Sequence, residues 1–312
     1  MTTRLLREEL RRAALGGPSA YTIGTFDGVH RGHQFLIRLL EQRAAARGLG
    51  TGVVTLHPHP LTVVRPGARV TYLTGLDERI DLLRALGVDT VVPVTFSSEV
   101  SQLGAEEFMQ LLAEELQLRY LLIGPDFALG RGREGNGERL AAIGARLGVE
   151  VEPSPAEGDG GHKIGSSDIR AALAAGEIER VNDLLGRRFA LSGPIVQGAR
   201  LGRTIGFPTA NVAVAADRAL PAHGVYAACA YLDGAAQIAA VNVGTRPTVD
   251  DGPPSVEAHL LDFSRDVYGH DLRLEFVHRL RGEQRFSGLN ELKAQIERDV
   301  EAARASAGCS TG

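Results

Sequence analysis

Apolar residues recur in two alternating rhythms along the first half of the chain. Short runs rich in apolar and β-branched residues at 21–23, 51–56, 90–94 and 120–123 read as buried strands. Between them the apolar positions return every three or four residues. Residues 33–47 set Phe35, Leu36, Leu39 and Leu40 on one helical face, and Gly48 suits the end of that helix. Residues 76–86 and 105–116 read as helices in the same way. The alternation predicts a parallel sheet covered by helices. Ligands on such sheets bind beyond the carboxyl ends of the strands. The 24–33, 57–60 and 124–132 turns should therefore converge on one edge.

After about residue 186 the pattern changes. Short strand-like pieces at 189–196, 225–232, 237–243, 255–261 and 272–279 follow one another, separated by Gly, Pro and Asn turns. This predicts an antiparallel barrel or sandwich. Residues 289–305 close the chain as an amphipathic helix. The stretch 176–186 is the expected hinge, dividing the chain into 1–183 and 184–312.

The 312 residues suffice for two ordinary domains, and 44% hydrophobic with 23% charged residues is normal for a globular protein. A net charge of -4 argues against a nucleic-acid partner. Lys163 and Lys293 are the only lysines, so phosphates here must be held mainly by Arg, His, backbone N–H groups or a metal. Cys229 and Cys309 share no metal-ligand spacing, and Cys309 lies in a polar tail, which argues against a disulfide framework or a zinc site. The charged N-terminus has no apolar signal region, and no apolar run reaches the ~20 residues that span a membrane. A cytoplasmic protein is the expectation. Nothing in the pattern specifies an oligomeric state.

Chemistry concentrates in a few runs. Gly24-Thr-Phe-Asp-Gly-Val-His-Arg-Gly-His33 falls between a strand and a helix. Gly28 and Gly32 allow a tight turn and close approach of phosphate, and the helix start offers free N–H groups and a positive dipole end. His30 and His33 can both face an anion there. Ser166, Ser167 and Arg170 could hold phosphate through hydroxyls and a bidentate guanidinium; the bland alternative is a simple helix cap. Thr55-Leu-His-Pro-His-Pro60 is otherwise a rigid Pro turn. In the second half, glycines 198, 202 and 206 with Arg200 and Arg203 form a loop suited to phosphates, followed by Pro-Thr209-Ala-Asn211. Glu257 lies on a strand, where a carboxylate is ordinarily a solvated outer residue. The 130–135 glycine run matches a dinucleotide pattern but comes after a loop, too late in the domain, and the 198–204 run has neither the spacing nor the Lys of a P-loop.

Taken together these runs resemble the prokaryotic bifunctional riboflavin kinase/FMN adenylyltransferases over nearly the whole chain. The resemblance implies an α/β chain: an N-terminal Rossmann-like nucleotidyltransferase domain and a C-terminal antiparallel β-barrel with a terminal helix. It implies phosphorylation of riboflavin to FMN and adenylylation of FMN to FAD, with ATP, riboflavin and FMN as substrates and Mg²⁺ as cofactor. By the same resemblance His30 and His33 stabilise charge on the transferring phosphate. Gly24, Phe26, Asp27, Gly28, Gly32, Ser166, Ser167, Arg170, Gly198, Arg203, Gly206 and Asn242 attend the nucleotides. His57, Pro58, His59, Asp126, Phe127, Arg281 and Phe286 lie on the flavin side, Thr209 and Asn211 hold the metal, and Glu257 is the catalytic base. Leu56 and Leu129 stand where aromatics are usual in the family, His57 where an acid is common, and Gly165 where a Ser is. Two alternatives are a kinase with a crippled adenylylation site and a flavin carrier without turnover. Mere flavin binding, however, needs neither metal ligands nor a base.

Overall fold

A computed structural model describes residues 3–155, 158–159, 162–198, 202, 205–244 and 255–309. The chain divides into two compact units, Met1–Ser166 and Ser167–Gly312.

In the first unit, β1 (Ser19–Gly24), β2 (Gly50–His57), β3 (Thr90–Thr95), β4 (Leu118–Ile123) and β5 (Glu150–Pro153) form a five-stranded sheet in the order β3-β2-β1-β4-β5. Every pairing is parallel. The order reverses between β1 and β4, which opens a crevice beyond their carboxyl ends. The helices are α1 (Arg4–Arg12), α2 (Arg31–Ala45), α3 (Pro60–Val64), α4 (Leu76–Arg84), α5 (Ser98–Ser101), α6 (Ala105–Glu115) and α7 (Gly137–Leu147). Two apolar clusters lie in this unit. One contains Ile37, Leu40, Val53 and Leu83 of α2, β2 and α4. The other contains Leu6, Leu10, Phe108, Leu112 and Leu140 of α1, α6 and α7. The strands therefore read as continuous apolar runs, as expected for a sheet covered on both faces. Helix α1 was hidden by its charge. Its two buried leucines sit one turn apart, while Arg7 and Arg11 both pair with Glu115 of α6.

In the second unit, β8 (Phe189–Val196), β9 (Ala210–Val212), β10 (Gly224–Leu232), β11 (Ala235–Gly244), β12 (Ser255–Leu260) and β13 (Asp271–Arg281) close a barrel in the order β10-β11-β12-β9-β8-β13. The barrel, not the sandwich, is thus the architecture. The Asp233–Gly234 turn fixes the β10–β11 register, because both residues have positive φ (51° and 81°), as a two-residue hairpin with right-handed twist requires. A two-stranded ribbon, β6 (Gly158–Asp159) with β7 (His162–Lys163), precedes α8 (Ser166–Ala175) and α9 (Ile178–Leu185). Helix α9 buries Ile178, Val181, Leu184 and Leu185, and its Asn182 donates to Phe276 O and accepts from Phe189 N. The expected division at 183/184 falls inside α9, in the second compact unit.

The last helix, α10 (Leu289–Ser306), folds back onto the barrel. Small residues allow the close approach: Ala303 and Ala307 pack with Ala227 and Ala240. Here the sequence expectation needs correction. Cys309 is not on a free polar tail but forms a disulfide with Cys229 of β10, because α10 returns the chain end to the strand 80 residues earlier. Among the described residues, no helix is long and apolar enough to cross a membrane.

Candidate functional site

Each unit carries its own candidate site. In the first, a cavity of about 320 Å³ occupies the crevice at the β1/β4 reversal. Gly24 ends β1 and Thr25 and Phe26 follow it, Gly124, Asp126 and Phe127 follow β4, and Gly32, His30, His33, Gly165 and Ser166 also line the cavity. His30 caps α2, its Nδ1 accepting from His33 N at 3.4 Å. A neutral imidazole that accepts at Nδ1 carries its proton on Nε2, so His30 presents a donor. The rings of His30 and His33 stack at 3.6 Å, so that two imidazoles and a helix N-terminus face one space. A Cβ on Gly32 would come within 3.3 Å of the His30 ring, a tight contact that the ring would have to yield to. Ser166 Oγ donates to Asp27 O at 2.9 Å, tying the start of α8 to the 24–33 turn.

Several expected residues stand elsewhere. Asp27 is buried and faces away from the cavity, accepting from Leu73 N and Thr74 N. Gly28, with φ 85°, donates its N–H to Thr74 Oγ1 behind the turn. His57 ends β2 and Pro58 and His59 follow it, on the far side of β1 from the reversal, and none of the three lines the cavity. Tyr72 holds that turn, its hydroxyl accepting from His59 N and its ring lying 5.4 Å from His57. Ser167 and Arg170 lie on α8 in the second unit. Leu56 and Leu129, the two aliphatic departures from the family pattern, are buried in the core behind the site rather than in its lining. The 130–135 glycine run forms a short 3₁₀ turn closed by a Leu129–Gly135 bridge, consistent with its rejection as a dinucleotide motif.

In the second unit one level of the barrel collects the chemistry. Asn211 of β9 pairs with Glu257 of β12, Glu257 with Asn242 of β11, Asn242 with Val225 of β10, and Val225 with Arg281 of β13. Directly opposed residues on antiparallel strands point to the same face. Glu257, Asn242, Arg281, Phe286 and Thr209 line a cavity of about 720 Å³. A second cavity, of about 300 Å³, lies beside it, with apolar Ile195, Pro208, Ala258, Leu260 and Phe263 in its wall. The period-two geometry of β12 divides the work: Glu257 and His259 face the larger cavity, Ala258 and Leu260 the smaller. Thr209 lines both. His259 Nδ1 contacts Pro208 O at 2.8 Å and fixes the approach to Thr209. A Cβ on Gly198 would collide with the Asn211 amide at 2.3 Å, so glycine there makes room for Asn211. Gly206, with φ 92°, forms a turn outside the lining. Arg200 and Arg203 lie outside the described residues.

Residues that sequence reasoning missed come from α10 and the loop before it. Leu292, Ile296, Asp299 and Glu283 line the larger cavity. Asp299 accepts from Arg281 Nε at 3.0 Å and Nη2 at 2.8 Å, and from Gln295 Nε2 at 2.8 Å. Arg281 therefore reaches the cavity with its guanidinium oriented by α10, and its charge lies 5.8 Å from the Phe286 ring. Beside the smaller cavity, Asp233 is held below the usual carboxylate range by the hydrogen bond from His270, with Arg265 adding to it.

A parallel sheet with two histidines at a helix N-terminus, and a barrel whose Glu257 faces one of two adjoining cavities, fit a transferase that acts on phosphate groups at two sites. Family models agree: one described as FAD synthetase matches residues 14–168, and one described as Riboflavin kinase matches residues 185–307. The bifunctional riboflavin kinase/FMN adenylyltransferase of Escherichia coli (strain K12) is 40% identical over 285 residues, covering 91% of both chains. That of Bacillus subtilis (strain 168) is 34% identical over 304 residues, covering 96% of this chain and 94% of its own. A crystal structure described as a macrolide-efflux protein from Streptococcus pneumoniae superposes with a TM-score of 0.87 at 28% identity, covering 96% of this chain and 97% of that one. The chain belongs to the bifunctional riboflavin kinase/FMN adenylyltransferase family.

Proposed function

We propose that the chain makes FAD in two ATP-dependent steps, with the kinase in residues 184–312 and the adenylyltransferase in residues 1–183. In the first step the 5′-hydroxyl of riboflavin attacks the γ-phosphorus of ATP, the bond to the bridging oxygen of ADP breaks, and Glu257 takes the hydroxyl proton. The observation that carries this reading is the division of β12: Glu257 faces the larger cavity and Ala258 the smaller, with Thr209 in both. The smaller, apolar-walled cavity suits the purine of ATP and the larger one the isoalloxazine, so the γ-phosphate and the hydroxyl meet near Thr209. Arg281, oriented by Asp299, and Phe286 stand on the flavin side, and Asn242 beside Glu257. Gly198, Arg203 and Gly206 belong to the phosphate loop by motif.

Thr209 and Asn211 offer hard oxygen donors near Glu257. Among the described residues no group of three or more His, Cys, Asp or Glu side chains could hold a metal alone. That donor set fits Mg²⁺, which takes few protein ligands and shares the substrate's phosphates. Thr209 and Asn211 would hold it, and when bound it neutralises phosphate charge.

In the second step an FMN phosphate oxygen attacks the α-phosphorus of ATP and pyrophosphate leaves. His30 and His33 donate to the phosphate oxygens as charge builds, with the N-terminus of α2 behind them. Ser166, Ser167 and Arg170 are the further nucleotide contacts in this reading, and Asp126 and Phe127 the flavin side. A cytoplasmic location accompanies this reading, and the net charge of -4 supports small-molecule rather than nucleic-acid partners.

The test is Glu257→Gln. The amide keeps size and hydrogen bonding but is a very poor proton acceptor. Riboflavin phosphorylation is expected to fall about 10²–10⁴-fold with substrate affinities little changed. FMN supplied directly is still converted to FAD. Phosphorylation at the wild-type rate would remove Glu257 from the role.

A further inference from the structure

Behind the histidine cradle, on the side away from its cavity, lies a fully buried ion pair. Arg79, in the first turn of α4, is 0% exposed and sits 3.7 Å from the carboxylate of Asp27, which is 1% exposed. Its Nη1 donates to Thr25 O at 2.9 Å and its Nη2 to Thr74 O at 3.4 Å. Its guanidinium lies 5.5 Å from the centre of the Tyr72 ring. Asp27 accepts from Leu73 N at 3.0 Å and Thr74 N at 3.1 Å, and Thr74 Oγ1 accepts from Gly28 N at 3.1 Å. The 25–28 turn is thus bonded to the 73–79 segment through Thr25 O, the Asp27 carboxylate and Gly28 N.

The turn needs such a brace. Phe26 (φ 48°) and Val29 (φ 41°) both occupy the left-handed region, where an aromatic or β-branched residue is strained. Such strain costs on the order of 1–3 kcal/mol per residue and persists only where the surroundings over-determine it. Burying two opposite charges is itself costly, several kcal/mol per ion before pairing. Stability alone is a poor reason to keep such a pair, whereas holding an anion cradle in one shape is a good one.

We propose that Arg79 is a positioning residue for adenylylation: through Thr25 O and Asp27 it fixes the turn that presents His30, His33 and the α2 N–H groups to the ATP phosphates. Asp27, on this account, serves the brace and not the nucleotide. The proposal rests on the reading that this cradle binds ATP.

The test uses the full chain, whose kinase reaction serves as an internal control for protein quantity. Arg79→Met keeps volume and removes the charge and both donors. The KM for ATP in FAD formation should rise at least about tenfold and kcat fall by up to about 10²-fold, as expected when reacting groups are misplaced by an ångström. The KM for FMN and the rate of riboflavin phosphorylation should not change. Arg79→Lys, which keeps charge and one donor, should recover part of the loss. A merely structural role predicts a smaller active fraction, with Vmax reduced and both KM values unchanged; that result, or wild-type kinetics, overturns the proposal. If Arg79→Met unfolds the first unit, Asp27→Asn with Arg79→Met removes both charges: slow FAD formation with a raised KM for ATP supports the brace, and wild-type kinetics overturns it. His33→Ala separates the two levels. If it adenylylates normally, the site reading fails. If it is inactive while Arg79→Met is normal, only the brace fails.

Discussion

The two sites are built in opposite ways. The cradle of the first unit is made largely from one stretch of ten residues, bent between β1 and α2 and braced from behind. The site of the barrel has no such stretch. Its Asn211, Glu257, Asn242 and Arg281 come from four strands and meet only because the register brings them to one level. A fifth element, α10, supplies the groups that orient Arg281 and wall the cavity. The contrast teaches where each site is vulnerable: the first to changes in a local turn, the second to changes in the docking of distant segments.

After Glu257→Gln, the largest expected effect falls on the local site. His33→Ala removes one donor from the cradle and should slow FAD formation about 10²–10³-fold, the range for loss of one preorganised donor to a developing charge. Riboflavin phosphorylation, followed by chromatography of FMN, should be unaffected. Loss of both activities in a folded variant would erase the contrast.

A smaller effect is expected from Asp299→Asn. It weakens the charge-assisted pair with Arg281, which is worth about 1.5–3 kcal/mol for a hydrogen bond to a charged group. The KM for riboflavin should rise about tenfold, with FMN adenylylation unchanged. An unchanged KM would show that α10 covers the cavity without shaping it.

The smallest effect on turnover is expected at the disulfide. Cys309→Ser opens a link closing 80 residues, which should lower the stability of the second unit by about 2–4 kcal/mol. Thermal unfolding should show the loss in the barrel's transition alone, with both reactions near normal at room temperature. The remaining contacts of α10, including Arg304 with Asp262 and Ala303 with the barrel, keep the helix docked.

Legibility in the sequence follows the same contrast. The longer strands of both units could be read because their apolar runs and Gly or Pro turns are local signals, whereas the short β5, β6, β7 and β9 carried no such signal and were missed. The 24–33 run could be read because its residues are neighbours in sequence and in space. Glu257 and Asn242 could be read as motifs, but not as partners across a β-ladder, since register is a property of paired strands. Leu292, Ile296 and Asp299 have the spacing of one face of an ordinary amphipathic helix; only the return of α10 to the barrel turns that face toward the cavity. Arg79 carried no signal in the sequence, because its burial depends on what the 73–75 segment does beside it. The disulfide was invisible because no spacing rule joins residues 229 and 309.

The central claim is that the two proposed reactions run at separate sites, FMN from the kinase site being the substrate of the adenylylation site. It is tested most directly by mixing two variants. His33→Ala and Glu257→Gln are each given riboflavin and ATP with Mg²⁺, alone and in equal amounts together. Alone, the first should stop at FMN and the second should make almost nothing. Together they should make FAD, because FMN released by one variant is adenylylated by the other. If the mixture accumulates FMN without FAD, although Glu257→Gln converts added FMN, the two sites do not work as independent stations and the account is wrong.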